Sequence, residues 1–225
     1  MSTSQSASGE SPVRVFVVED QARILRALTK YLKTREELDL VGSAMTGEEA
    51  LERIPPCKPE VVLLDLELPG MNGLEVLRRL KPNDPQIEVL ILTTFDDETR
   101  VFEAVQAGAA GYLVKRVAQD QIVKAILEVW AGGMVIESRI ARRFWNYFES
   151  MKARPQEKVE HELTAVEIDI LQFLAKGLSN AEVGEVMSLE RRRVRSHLGH
   201  IYRKLGVSSH VEAVVKALGM GIIDL

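Results

Sequence analysis

The chain has 225 residues, enough for two domains that each bury a core of their own. Hydrophobic residues make up 46% and charged residues 28%, and no apolar run approaches the roughly 20 residues of a membrane span, so a protein without membrane association is expected. The formal net charge of −4 provides no general attraction to nucleic acid, so any DNA contact has to come from a local basic patch. A single cysteine, Cys57, excludes an internal disulfide and a multi-cysteine zinc site, and it suits a reducing cytoplasm.

Residues 1–11 are polar and Ser-rich, lack the charged start and apolar middle of a secretory signal, and read as a disordered tail. Short β-branched apolar runs then recur at residues 13–18, 38–41, 61–64, 87–92 and 111–114, each followed by a stretch with helical spacing. Strands apolar on both faces belong to a parallel sheet covered by helices on either side, so residues 12–133 are expected to form a flavodoxin-like, doubly wound α/β domain of five strands. Ligands of such sheets bind beyond the carboxyl ends of the strands. Glu19 and Asp20 follow the first run, Asp65 the third, Thr93 the fourth and Lys115 the fifth. Taken singly, each has an ordinary alternative: a helix cap, a strand-end hydroxyl or a solvated charge. Together they place crowded carboxylates beside one hydroxyl and one amine, an arrangement that suits a hard divalent ion such as Mg²⁺ and a phosphoryl group on a carboxylate. Asp65 is the candidate nucleophile and Lys115 the group that neutralises phosphate oxygens.

The stretches VFVVEDQ, VVLLDLELPGMNGLEVL, VLILTTFDD and AGAAGYLVK resemble the receiver domain of two-component response regulators. The resemblance implies that Asp65 is the phosphoacceptor, that Glu19, Asp20 and Asp65 hold Mg²⁺ with the backbone carbonyl of Glu67, and that a histidine kinase donates the phosphoryl group. Thr93 is then the switch hydroxyl and Tyr112 the aromatic that turns into the space Thr93 vacates. Glu19 stands where Asp is more common, and Arg116 where many receivers have proline, which leaves the isomer of the Lys115–Arg116 bond open.

Residues 134–162 are expected to be a linker containing a helix: Arg139, Arg142, Arg143, Phe144, Trp145, Tyr147 and Phe148 share a helical spacing, and a charged aperiodic run from residue 154 marks a flexible boundary. From residue 163 to residue 225 the pattern is wholly helical, with four short helices. Thr164 with Glu167, and Ser179 with Glu182, have capping-box spacing, and Gly177 sits between them as a terminator. A third helix over about residues 190–205 directs Val194, Leu198, Ile201 and Leu205 to the core. Its opposite face, expected to be exposed, carries Arg192, Ser196, Gly199 and Arg203, flanked by Arg193, Arg195 and His200, and fits a DNA major groove.

The segments LTAVEIDILQFLAKGLSNAEVGEVM and VRSHLGHIYRKLGVSSHVEAV resemble the LuxR-type helix-turn-helix, placing the chain among regulators of the NarL/FixJ type. The resemblance implies that Arg195, Ser196 and Gly199 face bases while neighbouring basic residues hold phosphates. It also implies that the last helix, carrying Val211, Val214, Val215 and Leu218, pairs two copies on a palindromic site. Two other functions fit parts of the pattern. An aspartyl-phosphate phosphohydrolase needs a second Asp two positions after the nucleophile, where this chain has Glu67. The other is a receiver-like module regulated without phosphorylation, although every expected site position carries a workable residue.

Overall fold

The computed structural model describes residues 11–94, 98–135 and 162–224. Nearly all of the expected tail and linker, with the aromatic and basic stripe from Arg139 to Phe148, therefore lies outside the described residues.

The first domain alternates β1 (Val13–Val18), α1 (Ala22–Leu32), β2 (Leu38–Ala44), α2 (Gly47–Cys57), β3 (Val61–Leu64), α3 (Gly73–Asn83), β4 (Glu88–Thr93), α4 (Glu98–Gln106), β5 (Gly111–Val114) and α5 (Gln119–Trp130). All strand pairs are parallel, in the order β2-β1-β3-β4-β5. The chain reverses its direction of travel across the sheet between β1 and β3, which makes the carboxyl ends of those two strands the natural ligand crevice. Alternate residues of β1 serve opposite faces: Phe16 and Val18 join Ile54, Val76, Leu77 and Leu80 under α2 and α3, while Val15 and Val17 join Leu28, Ile122, Ile126 and Val129 under α1 and α5. Strand β2 runs three residues beyond the apolar signal, because Gly42 and Ser43 keep pairing with β1 across a register shift between Val15 and Phe16. No described peptide bond is cis, and the Lys115–Arg116 bond is therefore trans.

The second domain is all-helical among the described residues: α6 (Ala165–Ala175), α7 (Asn180–Met187), α8 (Arg191–Leu205) and α9 (His210–Gly219). Both capping boxes form, at Thr164 with Glu167 and at Ser179 with Glu182. Gly177, between the first two helices, has a φ of 86°, which glycine adopts without a Cβ clash. Ile170, Leu171, Val183, Val194, Leu198, Ile201 and Leu205 close one core. On α9 the innermost residues are Ala213 and Ala217, with Val214 and Leu218 half-buried beside them, so much of that apolar stripe is already committed within the domain.

The two domains touch at the amino ends of the sheet strands. The Asn180 N–H at the start of α7 donates to the Ala131 carbonyl after α5, at 2.8 Å, and its side chain closes on Gly132. The Arg191 guanidinium lies 4.0 Å from the centre of the Trp130 ring, and Gly199 of α8 faces Pro85 and Gln86.

Candidate phosphoryl-transfer site and DNA-reading helix

Each acidic residue at the first site is placed by the strand ladder. The Glu19 N–H donates to the Ala44 carbonyl at 3.1 Å and the Asp65 N–H to the Val18 carbonyl at 3.0 Å, so the sheet bonding runs one residue past β1 and β3 and fixes both carboxylates. Lys115 is anchored in the same way, its N–H on the Thr93 carbonyl at 2.7 Å. Gly73 opens α3 immediately beneath; a Cβ there would lie 2.0 Å from the Asp65 carbonyl oxygen, so only glycine lets that helix approach the strand end.

The geometry brings together the residues that the sequence singles out. Carboxylate oxygens of Glu19, Asp20 and Asp65 lie within 4.8 Å of one another. Lys115 Nζ bridges two of them, 2.6 Å from Glu19 Oε2 and 2.7 Å from Asp65 Oδ2. Asp65 is 1% exposed. Burial pushes the Glu19 carboxyl above its usual range, although the hydrogen bond and charge of Lys115 pull the other way. Burial likewise opposes the Lys115 charge, but its hydrogen bonds to Asp65 and Glu19 outweigh that and hold its pKa above the usual lysine value. One ammonium thus serves three carboxylates, and the pocket retains an excess of negative charge.

Two buried polar atoms here lack a hydrogen-bond partner, Asp20 Oδ1 and Thr93 Oγ1. Buried polar atoms are rarely left so, and each unpaired one costs roughly 1–3 kcal/mol. An oxygen-loving divalent cation fits the first, and a phosphoryl oxygen fits the second. The Glu67 side chain is engaged elsewhere, accepting a hydrogen bond from the Thr94 hydroxyl, while its N–H donates to Asp65 Oδ1 at 3.2 Å.

Tyr112, 2% exposed, belongs to the same buried cluster as Ala104 and Val105 of α4. One expectation needs correction. On α8, Arg192, Arg193, Ser196, His200 and Arg203 are exposed as expected, whereas Arg195 is 7% exposed and Gly199 is buried. The receiver-like domain covers them. Arg195 donates to the Glu60 carbonyl at 3.0 Å, to the Gln86 carbonyl at 2.9 Å and to Glu60 Oε1 at 3.2 Å. Glu60 also accepts from Trp130 Nε1 at 3.1 Å and from the Arg14 N–H at 3.2 Å, which holds its carboxylate in place.

Sequence reasoning missed Glu60, Gln86 and Trp130. Their only local signal is a position just before a strand or at a helix end, and their partners are distant in sequence, 135 positions for Glu60 with Arg195, 109 for Gln86 with Arg195 and 70 for Trp130 with Glu60. A second donor group, Glu167 with His197 and His200, also clusters, but both Glu167 oxygens are taken by Lys204 Nζ, at 3.1 and 2.8 Å, and one of them by the Thr164 N–H.

Comparison with known proteins agrees for both domains. Residues 15–127 match the family model described as response regulator receiver domain, and residues 161–217 match that of bacterial regulatory proteins of the luxR family. The transcriptional regulatory protein LnrK of Bacillus subtilis is 33% identical over 218 residues, covering 93% of this chain and 98% of LnrK. The oxygen regulatory protein NreC of Staphylococcus aureus is 29% identical, covering 94% of this chain and all of NreC. Among solved structures, the response regulator ChrA of a heme-sensing two-component system superposes with a TM-score of 0.50 at 30% identity, covering 95% of this chain and 100% of ChrA. The receiver domain of the putative response regulator NarL from Mycobacterium tuberculosis superposes at 0.53 with 34% identity, over 55% of this chain and 99% of that domain.

Proposed function

The chain belongs to the two-component response regulators that join a receiver domain to a LuxR-type DNA-binding domain, and from that membership we propose a transcription factor switched by phosphorylation of Asp65. The observation that carries this reading is the convergence of Glu19, Asp20, Asp65, Thr93 and Lys115 in one pocket with two unpartnered oxygens. Glu19, Asp20, Asp65 and the Glu67 carbonyl are the residues to hold Mg²⁺, which would offset charge on the phosphoryl group. The kinase phosphohistidine loses its P–N bond as an Asp65 carboxylate oxygen forms the new P–O bond. Lys115 already sits 2.7 Å from Asp65 Oδ2, placed to meet a phosphoryl oxygen, and the free Thr93 hydroxyl to donate to another.

In the resting protein the DNA-reading helix is turned inward. Arg195, expected to read bases, already spends its guanidinium on two receiver carbonyls and a carboxylate. Major-groove binding requires that helix to leave the receiver. Phosphorylation then favours the open state, and two opened copies pair through the half-buried Val214, Val215 and Leu218 together with Val211 to occupy a palindromic site.

The test is intact mass after incubation with Mg²⁺ and a small acyl phosphate, comparing the native chain with Asp65→Ala, followed by DNA binding of the two products. Gain of one phosphoryl group by the native chain alone, with tighter DNA binding, is the expected result. A folded native chain that gains nothing would leave the output domain regulated without phosphorylation.

A further inference from the structure

Two contacts hold α8 against the receiver: Arg195 is tied to Glu60 and Gln86, and Lys81 of α3, itself 1% exposed, sets its ammonium 5.9 Å from the centre of the Tyr202 ring. Beside the first of them the domains leave a cavity of about 550 Å³, within the range of small-molecule sites. The helix side of its wall carries Arg192 and Arg203 of α8, and the receiver side carries Lys58, which follows α2, with Pro55, Pro59 and Pro85. Three exposed cations thus surround one space, and none of Lys58, Arg192 and Arg203 has an ion-pair partner among the described residues. Of the two carboxylates in the lining, Glu60 is neutralised by Arg195, which leaves Asp84 alone against the three. The cavity therefore carries an excess of positive charge, opposite in sign to the Asp65 pocket at the other end of the strands.

We propose that this cavity takes a small oligophosphate of nucleotide size, and that the bound anion locks the closed, unphosphorylated protein. The proposal rests on the closed resting state described above. A guanidinium pairs with phosphate oxygens through parallel hydrogen bonds and a lysine ammonium acts as a point charge, so a short chain of phosphates can engage cations on opposite walls at once. Arg192 and Arg203 lie on the helix proposed to hold DNA phosphates, and the ligand imitates the DNA backbone towards them. Lys58 makes the difference: it belongs to the receiver, and it shares a space with Arg192 and Arg203 only while the domains are closed. Pro55, Pro59 and Pro85 offer an apolar wall to the rest of the molecule, such as a sugar and base.

An anion that needs both walls binds the closed state in preference to the open one. It raises the closed-to-open ratio by mass action, by about elevenfold at a free concentration ten times its dissociation constant. Ligand and DNA then oppose each other twice, through the arginines that both require and through the conformations that each requires. Phosphorylation of Asp65 has to offset the same factor before the helix is released.

The experiment is calorimetric titration of the full, unphosphorylated chain with ATP and, separately, with inorganic triphosphate, in about 150 mM salt. Mg²⁺ is left out, so that the acidic Asp65 pocket repels the same anions. Native protein and Lys58→Gln run side by side, with small-angle scattering of each to measure compactness. Both should be compact; the native chain should bind one anion, and Lys58→Gln should bind it about tenfold more weakly or worse. The two proteins should bind DNA equally without the anion, and the anion should weaken DNA binding more in the native chain. Tighter binding of ATP than of triphosphate supports a nucleotide, and equal binding supports an inorganic oligophosphate. No binding by the native chain, or equal binding by Lys58→Gln through the helix arginines alone, overturns the cavity site and leaves the closed state standing. A native chain extended in scattering overturns the closed resting state, and this inference with it.

Discussion

Arg195 and Glu60, 135 positions apart, are joined by two hydrogen bonds, one to the carboxylate at 3.2 Å and one to the backbone carbonyl at 3.0 Å. The residue expected to read DNA is thus held by the residue that leads into β3, the strand whose far end carries Asp65.

Glu60→Ala removes the carboxylate partner of Arg195 and the acceptor of Trp130 Nε1, while the two backbone carbonyls remain. Loss of one charge-assisted bond of roughly 1.5–3 kcal/mol in the closed state alone should favour opening by about ten- to a hundredfold. DNA binding by the unphosphorylated protein should tighten by up to that factor in a fluorescence anisotropy titration. Unchanged affinity would mean that the junction does not restrain the helix.

Asp20→Asn keeps the shape of the pocket and removes one candidate ligand charge, at a buried oxygen that has no protein partner. Mg²⁺ affinity by calorimetry should fall by at least about tenfold, with little change in thermal stability. Equal affinity in both proteins would place the cation elsewhere.

Lys115→Met leaves Glu19 and Asp65 facing each other without the ammonium that bridges them at 2.6 and 2.7 Å. Without Mg²⁺ the variant should be less stable than the native protein at neutral pH and recover as acid protonates a carboxylate, so its melting temperature should rise from pH 8 towards pH 5 relative to the native chain. Added Mg²⁺ should stabilise the variant more than the native chain. Parallel melting curves at all pH values would contradict the shared-charge description.

Thr164→Ala and Ser179→Ala each remove the side-chain acceptor of a complete capping box, on α6 and α7. Each should lower output-domain stability by about 1 kcal/mol in chemical denaturation, and their effects should add, because they cap different helices. Neither should alter phosphoryl gain at Asp65.

The receiver could be read from its sequence because strand ends dictate its chemistry: a residue that follows a buried apolar run has little choice of direction, and Glu19, Asp65 and Lys115 come together on that ground alone. Capping boxes were equally legible, since donor and acceptor are three residues apart. Arg195 was misread as exposed because helical spacing identifies the face away from the domain's own core, and that face has a second domain against it. Glu60 and Lys81 gave no signal, for their contacts with Arg195 and Tyr202 exist only between elements distant in sequence. Tyr112 was legible as an aromatic at the right position, but its burial depends on how α4 and β5 pack.

One side chain, Arg195, is offered two alternative sets of acceptors: carbonyls and a carboxylate of its own receiver, or the base edges of an operator. Its substitution would therefore change two properties at once, the sequence the regulator prefers and the strength of the stimulus needed to release it. An engineer who retunes the recognition helix for a new promoter should expect the set point of the circuit to shift as well, and should adjust Glu60 to restore it.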